Sequence, residues 1–434
     1  MMNYKSATRA ESGAPVLRNE IASFTAGGIQ PQDWFGSSIS GFADRLVVGA
    51  YGKGDAGAAY LFERSDGQWI ETRQFLPSDP NVISFGGSVA ISSEWTVIGA
   101  PDARSQRPYP GTVFTYAQDG QESIVRPASQ QDVDRFGSGV AIDQSTLVVG
   151  ARGTDRRGNQ SGSAYVFERQ GEQWVEVTEL LPSLTNRDSN FGVSIDISGE
   201  RIIGGATYLS GGVGGGQAFV FEKVDGEWVE QAELSLITPG FTDAYGRSVA
   251  INDRFAVVGA PGNLGRRNDY LDGAVFIYEK GESGWEYHQT LTPFPGVGAR
   301  SQFGTSVAID DQWLLVGARA NKDEGVNSGS GYLFRLDGDS WEPSARLTTH
   351  MPLNAQALGV SAYIGDDFLM LGAPSLSTAV PSVGYVQVFA VPEPGASVHL
   401  ILLSLASFFY CHRNARMEKT HKTLSSLDTN PFGG

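Results

Sequence analysis

Arginines recur at one place in this sequence. Arg104 and Arg107, Arg152 with Arg156 and Arg157, Arg266 and Arg267, and Arg319 all stand in loops between a run ending in Gly-Ala and the next aromatic-rich run. A guanidinium is a permanent cation with a planar fork of donors, so a ring of them on one side of a scaffold would hold an anionic ligand. Asp102, Asp155, Asp269, Asp272, Asp323 and Glu324 share these loops. The alternative account is therefore a mixed, salt-bridged rim.

Other chemistry has fewer residues to draw on. His288 and His350 are the only histidines ahead of residue 391, and neither has a serine, cysteine or second histidine at a catalytic spacing, so both read as surface residues. The run Gly211-Gly212-Val213-Gly214-Gly215-Gly216 lacks the Lys-Ser/Thr and the helix of a phosphate-binding loop and reads as a plain loop. Cys411 is the only cysteine, which removes disulfides and cysteine-based metal sites from everything before it. No carboxylate pair is marked out for acid–base work. The expectation is a protein that is not an enzyme, with an enzyme acting on extracellular polysaccharide or a purely structural matrix component as the alternatives.

The loops belong to a repeat. An aromatic-glycine pair opens each copy: Phe35-Gly36, Phe85-Gly86, Phe136-Gly137, Phe191-Gly192, Tyr245-Gly246, Phe303-Gly304 and, degenerate, Leu358-Gly359, spaced 50 to 58 residues apart. A short run such as SVAI follows, then a polar turn, a run ending in Gly-Ala, a variable loop and a run such as YVFE. These runs are too short for helices and alternate with period two in Val, Ile, Phe and Tyr, which predicts strands. We label them A (Ser248 to Ile251 in the fifth copy), B (Ala256 to Ala260), C (Ala274 to Tyr278) and D (Trp285 to Leu291). Four strands at this period predict an all-β fold, a seven-bladed β-propeller of four-stranded blades. Small residues such as Gly139, Ala141, Ser248 and Ala250 suit the crowded strand nearest the axis. Trp69, Trp174, Trp228, Trp285 and Trp341, at one phase opening strand D, suit packing between blades, with ligand stacking as the alternative.

The pattern resembles the FG-GAP repeat, the blade unit of integrin α-subunit propellers and of many bacterial surface proteins. Gly99-Ala100-Pro101, Gly259-Ala260-Pro261 and Gly372-Ala373-Pro374 carry the whole GAP element, while Gly49-Ala50-Tyr51, Gly150-Ala151-Arg152 and Gly317-Ala318-Arg319 keep Gly-Ala. The resemblance covers about residues 15–390 and implies a binding or adhesion module. In that family calcium often sits in the A–B loop. Here the turns Ser92-Ser93-Glu94, Asp143-Gln144-Ser145, Ser198-Gly199-Glu200, Asn252-Asp253-Arg254, Asp310-Asp311-Gln312 and Gly365-Asp366-Asp367 are too short to wrap an ion. Their acids read as turn formers, and no cofactor is expected.

The seventh copy reaches Phe389 without a strand D of its own. Counting the Trp174-to-Phe191 spacing back from Phe35 lands on Arg18, so residues 15–24 are expected to supply that strand and join the two ends of the chain, with residues 1–14 outside the ring. The B–C loops (152–163, 261–273) and D–A loops (182–190, 292–302) are long, and in a propeller they share one face. Recognition is expected there.

After residue 390 the pattern stops. Val391-Pro392-Glu393-Pro394, the apolar segment 396–411 and then His412, Arg413 and Arg416 resemble a PEP-CTERM sorting signal, which implies an exosortase-type processing enzyme and an address at the bacterial cell surface. Sixteen residues of helix span about 24 Å, slightly short of a bilayer's hydrocarbon core, so a short membrane helix is expected over 396–411. Residues 391–416 then form the signal and 417–434 a polar tail. Residues 1–20 show no secretory signal, so the expectation is a start site placed downstream of the true one. The formal charge of −16 disfavours nucleic acid as a partner. The expected partner is an extracellular glycan or protein.

Overall fold

Seven four-stranded antiparallel blades, one of them extended by a short parallel fifth strand, follow one another along the chain in this computed structural model. The structure describes residues 16–17, 20–103, 110–129, 134–185, 187–207, 216–234, 244–262, 272–293, 301–322, 327–349, 356–375 and 383–392. Blades 1 to 6 take their strands in the order A-B-C-D. In blade 3, for instance, these are Phe136–Asp143, Thr146–Ala151, Ser163–Gln170 and Gln173–Leu180. Blade 7 has strands A to C at Ser361–Ile364, Phe368–Ala373 and Tyr385–Ala390, and its fourth strand is Glu20–Phe24, antiparallel to Tyr385–Ala390.

Closure differs from expectation in one detail. Val16–Leu17, also within the predicted segment 15–24, pairs in parallel with the D strand of blade 6, Ser340–Leu347, and not with blade 7. The amino-terminal segment therefore touches two blades. Thr25 Oγ1 donates to the Gly384 carbonyl at 2.8 Å and Gln387 Nε2 to Glu20 Oε2 at 2.8 Å, tying the two ends of the ring.

Burial follows strand position. The B strands, covered on both sides by other blades, are almost wholly buried, as in Phe255–Ala260 and Trp313–Ala318. The D strands are outer edges, and Glu227–Leu234 alternates between exposed and half-buried side chains until it ends at buried Leu234. In blades 1, 3, 4, 5 and 6 the C–D pair carries a β-bulge, a device that bends and twists an outer strand and so blunts an exposed edge. His288 is the bulged residue in blade 5; its Nδ1 lies 3.0 Å from Glu279 Oε2 and its ring packs on Phe255. That is a packed position beside one carboxylate, with no nucleophile. His350 lies outside the described residues.

The apolar core sits between blades. One cluster joins Phe255, Val257 and Ile277 of blade 5 to Leu314, Tyr332 and Trp341 of blade 6, and another joins blade 7 to blade 1 through Phe368, Met370, Leu46 and Phe62. The FG aromatics pack on the strand-C aromatics of their own blade, as Phe136 does on Tyr165 and Phe167 at centroid distances of 5.7 and 6.0 Å. The strand-D tryptophans reach back to the preceding blade: Trp69 to Phe368, Trp174 to Trp95, Trp341 to Phe255.

The FG and GA elements meet at a polar seam. Each FG glycine has a φ between 78° and 92° and is the third residue of a tight turn, a geometry that favours glycine. Its carbonyl lies against the GA glycine of the preceding blade so closely that a Cβ on Gly150 would stand 1.9 Å from the Gly192 oxygen, and one on Gly372 2.0 Å from the Gly36 oxygen. The same carbonyl accepts a strand-A hydroxyl: Ser38 to Gly86, Ser88 to Gly137, Ser194 to Gly246, Ser248 to Gly304, Ser306 to Gly359 and, across the closure, Ser361 to Gly36, all at 2.8–2.9 Å. Blade 3 has Gly139 at this position and lacks that bond. A further glycine opens each strand C. A Cβ on Gly111 would meet the Phe136 carbonyl at 2.1 Å, and one on Gly384 the Phe35 carbonyl at 2.2 Å.

Candidate functional site

The start of strand A and the end of strand B lie at the same end of every blade, and two residues per blade leave the seam there. One follows the FG glycine and the other follows the Gly-Ala pair. The backbone joins their surroundings: the N–H of Gly52, Gly153, Ala320 and Ser375 donates to the carbonyl of Asp33, Asp134, Ser301 and Gln356 at 3.0–3.1 Å. The B–C loop thus begins beside the end of the D–A loop.

After Gly-Ala the residues are Tyr51, Pro101, Arg152, Thr207, Pro261, Arg319 and Pro374; after FG they are Ser37, Gly87, Ser138, Val193, Arg247, Thr305 and Val360. Three arginines therefore stand where other blades carry small, apolar or ring-closed residues. Arg247 of blade 5 acts electrostatically on Arg319 of blade 6, on Tyr51 of blade 1 and on Arg152 of blade 3. Blades 1, 3 and 5 are not neighbours, so only positions close to the ring axis bring these groups within range. They gather at the axial mouth, a group we call the well.

Arg247 is exposed to solvent. Protein nevertheless surrounds it so closely that desolvation is the main cause of its lowered pKa, followed by the Arg319 charge. Desolvation, then the charge of Arg135, brings Arg152 down to about 10 against the nearby Asp102, and Arg319 is lowered by desolvation as well. Burial raises the Tyr51 hydroxyl while Arg247 and Arg319 pull it the other way.

Partners distinguish these arginines. Arg319 Nε donates to Gln302 Oε1 at 2.6 Å, but no described residue forms a hydrogen bond or ion pair with the side chain of Arg152 or Arg247. Asp102 is engaged by Arg135 at 3.6 Å and by the Ser84 hydroxyl at 3.0 Å. On the opposite face several cations are paired, although Arg169 there packs on Trp95 and Trp174 with one guanidinium nitrogen unpartnered. There Arg64 pairs with Asp367, Arg201 with Asp253, Lys223 with Glu168 and Lys280 with Glu222, each across a blade boundary. Beside the well, the rings of Trp34 and Tyr51 pack at 4.7 Å.

Of the eight arginines expected to form a ring, four are described, and these four part ways. Arg152 and Arg319 reach the well. Arg156 is held at 3.2 Å by Glu179, which also accepts the Tyr165 hydroxyl, and Arg157 turns toward the Ser183 carbonyl at 3.5 Å; both bind back to their own blade and its following loop. Arg104, Arg107, Arg266 and Arg267 lie outside the described residues. Sequence reasoning missed Arg247 and Tyr51. The available signal was a charged or aromatic residue at a repeat position otherwise small, apolar or proline.

Among the described residues no group of three or more His, Cys, Asp or Glu side chains is placed to hold a metal ion. The A–B turns use their polar side chains internally: Asp310 Oδ1 accepts the N–H groups of Gln312 and Trp313, and Asn252 Oδ1 those of Arg254 and Phe255. Gly216 is the glycine that opens strand C of blade 4, while Gly211 to Gly215 lie outside the described residues. Val391 and Pro392 follow strand C of blade 7 without regular structure. Glu393, Pro394 and segment 396–411 lie outside the described residues. Among those described, no helix is long and apolar enough to cross a membrane.

Four segments match the FG-GAP repeat model: 19–62, 120–167, 228–278 and 285–334. Each runs from a strand D through strand C of the next blade, so the sequence repeat is offset by one strand from the structural blade. No curated protein matches the chain. Among solved structures, a chain of the mitotic checkpoint complex is similar at 10% identity with a TM-score of 0.54, covering 90% of this chain and 100% of its own. Virginiamycin B lyase from Staphylococcus aureus is similar at 9% identity with a TM-score of 0.52, covering 85% and 99%. At these identities the likeness concerns the fold alone. The chain is a seven-bladed β-propeller, four segments of which match the FG-GAP repeat.

Proposed function

We propose that this protein is a non-enzymatic binding module that presents the loop-bearing face of its propeller to an extracellular glycan or protein. One observation carries the reading. The seam repeats around the ring, while the residues after each FG and Gly-Ala pair differ between blades and gather at one axial mouth, with two arginines unpaired among the described residues and an aromatic pair. Recognition sites are commonly built this way, from variable loop residues on a constant frame. The sorting signal suggested by Val391-Pro392-Glu393-Pro394, the apolar segment 396–411 and the basic residues Arg413 and Arg416 adds an address: export to the cell envelope, with processing or anchoring through an exosortase-type enzyme.

A screen of the full chain against glycans and surface proteins, in calcium and in chelator, tests the module. Binding that persists in chelator and is blocked by an antibody to the loop face is the expected result. Ligands that bind only the opposite face, or no binding at all, would overturn the reading. Cell fractionation of the producing organism tests the address, and a purely cytoplasmic protein would refute it.

A further inference from the structure

We propose that the axial well binds the carboxylate of an acidic sugar, a uronate unit of a polysaccharide. The assignment rests on the binding-module reading and narrows its ligand.

Three features of the well specify this chemistry. First, the guanidinium forks of Arg152 and Arg247 have no hydrogen-bonding or ion-pairing partner among the described residues. A planar fork matches a carboxylate through two parallel hydrogen bonds. Second, Arg247 and Arg319 act on each other as like charges, as do Arg135 and Arg152, so positive charge is concentrated at this mouth. A bound anion would relieve that repulsion, whereas a neutral glycan would leave the forks uncompensated. Third, Tyr51 stands beside Arg247 and Arg319 and is backed by Trp34 at 4.7 Å. A pyranose ring offers an apolar C–H face to an aromatic wall while its carboxylate projects to the side. A glutamate or aspartate side chain supplies the carboxylate but no ring for that wall.

The test is calorimetric titration of the full chain in a non-ionic detergent with tetragalacturonate, its methyl ester and tetraglutamate. Tetragalacturonate is expected to bind at one site per chain, more weakly as salt rises. The ester should not bind, and tetraglutamate should bind at least about tenfold more weakly. Arg247→Gln and Arg152→Gln should each weaken tetragalacturonate at least about tenfold, and Arg247→Lys, which keeps the charge but loses the fork, by less. Arg157→Gln, away from the well, should bind as the parent does.

Unchanged binding in the Arg152→Gln/Arg247→Gln double variant would overturn the proposal, as would equal binding of the ester or preference for tetraglutamate. These results leave the module reading intact. Failure of every ligand in the broader screen overturns both.

Discussion

In all seven blades the carbonyl of the FG glycine sits against the GA glycine of the blade before it. One residue further along, the blades carry Ser37, Gly87, Ser138, Val193, Arg247, Thr305 and Val360. The seam and the well are thus adjacent in sequence and opposite in behaviour. At the seam two backbones approach within the space of a missing methyl group, so geometry dictates the residue type. At the well the side chain leaves the packed layer, and packing no longer dictates it. Agreement among the copies marks the frame, and divergence marks the surface available to a ligand.

The largest expected effect comes from opening the ring. A chain beginning at Thr25 lacks Glu20–Phe24, the fourth strand of blade 7, and with it the Phe24 contact on Phe62 at 4.7 Å. It should fail to fold or melt far below the full chain; an unchanged melting temperature would contradict the closure. Next is the seam itself. Gly372→Ala places a methyl group 2.0 Å from a backbone oxygen that cannot swing away, so a loss of about 3 kcal/mol or more is expected in urea unfolding.

Hydroxyl changes at the seam should be smaller and run in both directions. Ser361→Ala removes the bond to the Gly36 carbonyl and should cost about 1 kcal/mol. Gly139→Ser supplies the hydroxyl that blade 3 lacks and also restricts the unfolded chain, so a gain of roughly 0.5–1 kcal/mol is expected. Its Cβ would lie 3.2 Å from the Gly192 oxygen, tight but not forbidding. A loss there would show that the seam tolerates glycine alone in that blade.

Much of this frame was legible in the sequence. FG, GA and period-two alternation recur often enough to give seven blades, and the tryptophan spacing located the closing strand. The residue ahead of each aromatic was not legible. Trp34, Ser84, Arg135, Asn190, Ala244, Gln302 and Ala357 all adopt φ between 53° and 67°, yet they share no residue type, because the turn that follows and the loop bonds around it impose the conformation. The pairing of Val16–Leu17 with blade 6 was hidden as well, since two residues carry no pattern. At the site, Arg152 and Arg319 were visible as loop arginines. Arg247 was not, because its convergence with them depends on the ring bringing non-adjacent blades to one axis.

A subtler departure from the repeat lies within strand A. Asp196 occupies a position that is Ser40, Ala90, Ala141, Ala250, Ala308 or Tyr363 in the other blades. Its carboxylate accepts the N–H groups of Ile197 and Ile251 at 2.9 and 2.8 Å. Burial outweighs those bonds and raises its pKa from 3.8 to about 7. The folded state then holds a proton that the unfolded state releases between these values, so this group makes stability fall as pH rises from about 4 to 7. Asp196→Asn should flatten that part of the pH–stability curve. An unchanged slope would mean that the carboxylate titrates normally.

The central claim is that the well departs from the repeat for a reason other than stability, and urea unfolding of Arg152→Gln/Arg247→Gln at neutral pH tests it most directly. Each guanidinium faces another positive charge, Arg319 beside Arg247 and Arg135 beside Arg152, and neither has a hydrogen-bonding or ion-pairing partner among the described residues. Removing them should leave the unfolding midpoint unchanged or raise it. A clearly lowered midpoint would show that these arginines hold the frame together, and the distinction between seam and well would fail.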